Sequence, residues 1–200
     1  MDKGPMFQKI SLLIFVMTGA CFAQSEPVPF SHKGIKGSFG FGNYDHTQAA
    51  GLDENAAGSF AIGYGFKEHT TLWFGLSGGP HPRTEMPTLE TNFFVVELQF
   101  EYKFLPKKKI QPFGKAGVGF AGLLEQESVP EHILLGIALT FSFGADYFFS
   151  RHFGVGAEFR FLDIEYVREE FIVDGQTTGK DLNPGLNRDV TGFMLRFVVQ

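Results

Sequence analysis

Three things are scarce in this 200-residue chain. There is one cysteine, one tryptophan, and no apolar run long enough to cross a bilayer as a helix. The cysteine, Cys21, lies in the N-terminal leader, so the chain beyond the leader relies on neither disulfides nor thiol chemistry. Surplus positive charge is also missing. The formal net charge is −5, so nothing in the bulk charge suggests nucleic-acid binding. The uncharged run Ile133 to Ala145 could be mistaken for a helical span, but it stops short of the roughly 20 residues a spanning helix needs.

What is abundant is phenylalanine and glycine, 25 of each. Aromatic richness without a helical period points to pleated structure. The N-terminus reads as a secretory signal over 1–23. Lys3 and Lys9 form its positive end, Ile10 to Met17 its apolar core, and Gly19 to Ala23 its small-residue cleavage region. Cleavage after Ala23 is expected. The rival reading, lipoprotein processing at Cys21, meets Thr18 where an aliphatic residue is wanted. Residues 24–33 form a short periplasmic segment, and 34–200 is read as one domain.

Eight segments have a period of two: 34–43, 57–66, 70–78, 91–104, 110–124, 132–149, 153–163 and 189–200. In the fourth, Phe94, Val96, Leu98, Phe100, Tyr102 and Phe104 share one face. Val95, Glu97, Gln99, Glu101 and Lys103 share the other. The sixth sets Leu135, Ile137, Leu139, Phe141 and Phe143 against Gly136, Ala138, Thr140, Ser142 and Gly144. One face is bulky and apolar, the other small or charged. A soluble sandwich or a lipocalin-like barrel would turn the bulky face inward. A membrane barrel turns it to lipid. Glycines crowding the charged face favour the second arrangement.

The connections are an independent guide. Long loops near 44–56, 79–90, 125–131 and 164–188 alternate with short turns at 67–69, 105–109 and 150–152. Outer-membrane barrels alternate long outer loops with short periplasmic turns. Taking the last loop from Asp163, the long loops hold 14 carboxylates against four cations, a net of −10. The short turns carry +4. The fold expected is therefore all-β, an eight-stranded antiparallel up-and-down transmembrane barrel with an acidic outer end.

Pro112-Phe113-Gly114-Lys115-Ala116-Gly117-Val118-Gly119-Phe120, and the hairpin Gly144-Ala145-Asp146-Tyr147 with Phe153 to Phe161, carry a family likeness. On these residues the chain resembles the small eight-stranded outer-membrane β-barrel family, which includes the OmpA transmembrane domain and the opacity-type surface proteins. The resemblance covers essentially all of 34–200. It implies a monomer in bacterial outer-membrane lipid, inserted by the outer-membrane assembly machinery. Family members end on an aromatic residue that this machinery reads. Here the last strand has Gly192, Leu195 and Phe197 but ends Val198-Val199-Gln200.

The expected lumen charges are Lys36, Glu97, Glu101, Lys103, Lys115, Asp146, Glu158, Arg160 and Arg196. An eight-stranded barrel is just wide enough for side chains to fill it. These nine are read as an ion-pair plug, with a narrow small-solute pore as the alternative. A lipid-modifying enzyme would need His, Ser and an acid together at the outer rim. The candidates are His46 with Asp45, His81 with Glu85, and His132 with Ser128 and Glu131. None has the spacing of the lipid A deacylase or palmitoyltransferase families, so no catalytic residue is assigned. Asp174 to Gly179 matches a calcium loop only at its ends, so no metal site is assigned either. No cofactor is expected. The functional expectation is a structural or surface-interaction role through the acidic outer loops, the surface ligand unknown.

Overall fold

In the computed structural model, residues 32–46, 55–80, 90–126, 131–173 and 176–200 are described. The predicted leader at 1–23 lies outside them, as do residues 24–31 of the segment after it. Eight strands run in chain order: β1 Gly34–His46, β2 Asn55–Lys67, β3 Thr70–Pro80, β4 Glu90–Lys103, β5 Ile110–Gln126, β6 Glu131–Phe148, β7 Phe153–Val173 and β8 Gln176–Val199. Each pairs antiparallel with the next, and β1 pairs with β8 from Gly37↔Val199 to His46↔Val190, closing a barrel. Closure satisfies the backbone groups that hydrocarbon cannot hydrogen-bond.

The alternation sorts side chains as the two solvents demand. Phe39, Phe74, Leu98, Phe120, Phe141 and Phe197 stand exposed around the outside, Phe120 at 71%. A continuous apolar belt of this kind is far larger than a water-facing monomer tolerates, and lipid is what covers it. Phe39 and Phe60 sit directly across β1 and β2, with ring centroids 5.3 Å apart. Phe41 stacks on Phe197 across the closing seam at 6.3 Å.

The glycines of the inner face have a sharper role than filling a crowded lumen. A Cβ on Gly42, Gly79, Gly117, Gly136 or Gly144 would run into the backbone of the neighbouring strand. Closing so few strands requires strong coiling, and glycine lets the backbones pass.

The largest departure from the sequence reading is at 164–188. This stretch, expected as the longest loop, is the upper part of a β7–β8 hairpin. Its register runs on to Val173↔Gln176, with an irregularity between Tyr166 and Arg168. The strands of β7 and β8, at 21 and 24 residues, are about twice what a membrane crossing needs. Opposite charges face each other in it, Arg168↔Asp181 and Glu169↔Lys180. Such cross-strand pairs stabilise a sheet that has no lipid to face.

Candidate functional site

Spacing by two along a strand stacks side chains on one face, so Glu97, Gln99, Glu101 and Lys103 descend the inside of β4. Glu158 and Arg160 do the same on β7. Lys36 on β1, Lys115 on β5, Asp146 on β6 and Arg196 on β8 complete the set. The structure places all nine predicted lumen charges inside the barrel, eight of them buried and Lys115 with a side chain only 7% exposed.

Arg196 is the hub. Its Nε and Nη2 donate to the two oxygens of Asp146, both at 2.7 Å. Nη2 also reaches Glu101 at 3.0 Å, and Nη1 reaches Glu158 at 3.1 Å. The guanidinium lies 4.1 Å from the Phe113 ring centroid, which adds a cation–π contact. Lys103 donates to Asp146 at 2.7 Å and to Gln111 at 3.1 Å; Lys115 donates to Glu158 at 2.7 Å. Arg160 pairs with Glu97 and donates to the Tyr44 hydroxyl at 2.7 Å. Gln99 ties Glu97 to Thr140. Lys36 is set apart from these carboxylates and donates to the Thr71 hydroxyl at 2.9 Å.

The inside is not polar throughout, as the alternation rule alone would have it. Above the charges, toward the outer end, lies an apolar layer that includes Tyr44, Phe93, Val95, Leu123, Leu134 and Ile164. The signal for it was present. In Phe93-Phe94-Val95-Val96 and Ile133-Leu134-Leu135 the alternation gives way to continuous apolar residues, the mark of a strand buried on both faces. Below the charges, Trp73, Phe148 and Val198 form a smaller apolar cluster.

The periplasmic mouth is crossed by His32, which is fully buried. Its Nε2 lies 2.7 Å from the Pro106 carbonyl and its Nδ1 2.6 Å from the Gln200 carboxamide. Its backbone N–H donates to Glu68 at 3.3 Å. Gln200, the residue that stands where the resemblance expects an aromatic, also donates its backbone N–H to the His152 carbonyl at 2.9 Å. Its carbonyl lies 2.8 Å from His152 Nδ1. Gln200 thus fastens β8 to the β6–β7 turn and to the segment before β1.

Burial, with Lys103 and Lys36 nearby, lowers the His32 imidazole to about 4, so it is neutral at pH 7 and donates Nε2–H to Pro106. The unfolded chain takes up this proton near 6.5, the folded one only near 4. Between these values the unfolded state binds more protons, so stability falls as pH drops. Urea midpoints in lipid vesicles from pH 7.5 to 4.5 are expected to show a loss of about 2 kcal/mol that His32→Gln removes. An unchanged profile in the variant would place the proton elsewhere.

At the outer rim His132 Nδ1 is 2.9 Å from Glu125 and Nε2 is 2.7 Å from Glu169, and the ring stacks on Phe171 at 4.9 Å. The imidazole thereby ties β5, β6 and β7 together. His46 is buried edge-on against Phe93 at 4.9 Å, while Asp45 beside it points outward. His81, Glu85 and Ser128 lie outside the described residues, as do Asp174 and the Glu131 side chain.

No curated protein matches the chain in sequence. Among solved structures it is similar to Neisserial surface protein A, with a TM-score of 0.58 and 11% identity over 82% of this chain and 94% of that one. It is also similar to the outer membrane protein OprG from Pseudomonas aeruginosa. There the TM-score is 0.52, with 13% identity over 86% of this chain and 98% of that one. At such identities the likeness concerns the fold alone. The model of the outer membrane protein beta-barrel domain matches residues 10–195, and the chain belongs to that family of barrels in the bacterial outer membrane.

Proposed function

We propose that this protein is a non-conducting, non-enzymatic outer-membrane barrel that acts as an envelope element and presents an acidic outer surface for interaction. The observation that carries this reading is the filled lumen. The charge network is stacked beneath an apolar layer, and His32 lies across the inner mouth. A solute would have to break buried ion pairs and then cross a dry layer. The outer surface offers the β7–β8 hairpin, with Glu165, Glu170 and Asp181 beside Arg168 and Lys180. Chemistry at the rim is disfavoured because both nitrogens of His132 are engaged by carboxylates and His46 is packed against a ring.

One observation supports a narrow pore as the second reading. Ser38, Ser59, Ala61 and Gly75 leave a small cavity between the β1–β3 wall and the charges. Planar-bilayer recording separates the two. The purified protein is expected to give no steady conductance. Reproducible single-channel steps, abolished by narrowing substitutions such as Ala61→Leu, would replace the plug with the pore.

A further inference from the structure

Among the described residues, the periplasmic end carries a collar of cations with almost no acid beside them. Lys33, Lys67, Lys107, Lys109 and Arg151 are exposed there, in the turns or at strand ends, with Lys108 beside them. The one carboxylate of these turns, Glu68, accepts from the His32 backbone and is turned to the mouth. Directly above the collar runs a belt of exposed rings. Tyr64 and Phe66 are on β2, Tyr102 lies at the end of β4 with Phe104 just beyond it, and Tyr147, Phe149 and Phe153 flank the β6–β7 turn. His69 stacks on Tyr102 at 5.4 Å, and Tyr102 meets Phe104 edge-on at 5.4 Å. Rings of this kind mark the level of the lipid headgroups. The collar therefore sits in or just below the headgroup layer of the periplasmic leaflet.

We propose that this collar selects net-anionic phospholipids from the periplasmic leaflet, the headgroup phosphates lying among Lys67, Lys107, Lys109 and Arg151. Charge complementarity and the position of the rings carry the assignment. Zwitterionic headgroups bring an ammonium that cancels the attraction; net-anionic ones do not. The lysines are flexible, hydrated point charges rather than a shaped pocket. Selection is thus electrostatic, additive and strongly salt-dependent, and indifferent to which anionic headgroup is offered. The acidic outer end cannot do the same, so the protein polarises the lipid around itself along the membrane normal.

Spin-labelled lipids test this. The full chain, inserted in phosphatidylcholine vesicles, is compared for spin-labelled phosphatidylglycerol, phosphatidylserine and phosphatidylcholine at its perimeter. Both anionic labels are expected to be preferred by about 5-fold or more at low salt, the preference falling toward unity near 1 M salt. The variant K67Q/K107Q/K109Q/R151Q, checked for the heat-dependent gel mobility of a closed barrel, is expected to bring the preference below about 2-fold. Absence of preference in the unaltered protein, or its survival in the folded variant, overturns the proposal. Should the variant not fold, the salt titration of the unaltered protein decides: a preference that salt leaves intact also overturns it.

Discussion

Arg196→Met is expected to cost about 3–5 kcal/mol of stability, the range for breaking a buried pair by removing one partner. The substitution keeps the packing against Phe113 but takes away the donors that face Asp146, Glu101 and Glu158. Asp146 keeps Lys103, and Glu158 keeps Lys115. Neither lysine can supply the parallel fork that Asp146 loses. Arg196→Lys restores the charge and not the fork, so it is expected to fall between. Arg168→Met is the contrast. Arg168 also bonds a carboxylate at 2.7 Å, but its side chain is 49% exposed on the outer hairpin. Water competes there, and the expected cost is under about 1 kcal/mol. Urea unfolding in lipid vesicles, followed by gel mobility, reads all three. If Arg196→Met cost no more than Arg168→Met, the lumen would be hydrated and the plug reading would fail.

The network matters beyond its own stability. An apolar filling of the same volume could be as stable as buried ion pairs, or more so. Charges add a penalty for the wrong register. A slip by one residue turns every side chain to the opposite face. For β4 that would bring Glu97, Glu101 and Lys103 into hydrocarbon. A lysine or arginine at the bilayer midplane costs about 2–4 kcal/mol, a carboxylate less. The nine charges, carried by six of the eight strands, thus fix which face of each of those six looks inward while the barrel is still assembling.

The same chemistry explains what could be read from the chain and what could not. The strands were legible where lipid and lumen make opposite demands, as in Phe94 to Phe104 against Val95 to Lys103. Above the membrane both faces of a strand meet water, the alternation disappears, and 164–188 reads as loop because nothing periodic marks it. Eight of the nine charges were legible because each sits out of phase with a bulky neighbour, and Lys115, between Gly114 and Ala116, because it is out of phase with Val118 and Phe120 farther along the strand. The apolar layer was marked only where the alternation broke, at Phe93 to Val96 and Ile133 to Leu135, and a polar lumen is the general expectation from which Phe93, Val95 and Leu134 depart. The His32–Gln200 contact joins residues 168 positions apart, and no local pattern announces it.

The second large effect lies at the closing seam. Gly42 on β1 pairs with Met194 on β8. A Cβ there would collide with the Phe193 carbonyl oxygen and come within 2.8 Å of the Met194 Cα. These are backbone atoms in the ladder that closes the barrel, and no rotamer change moves them. Gly42→Ala is therefore expected to cost about 3 kcal/mol, the upper end of overpacking penalties. Gly42→Val is expected to lose the cold, fast-migrating form on detergent gels altogether. Two neighbours on the same strand give the scale. At Gly40 the added carbon meets chiefly the Ser59 hydroxyl, a side-chain end that can rotate away, so Gly40→Ala is mild. At Gly37 no described atom lies within 4 Å, and Gly37→Ala is expected to be neutral or to gain about 0.5 kcal/mol through a less flexible unfolded chain. Equal losses at all three positions would mean that glycine serves β1 through general strand propensity. The graded series, with Gly42 worst, would show that barrel closure depends on the close passage of two backbones at one point of the seam.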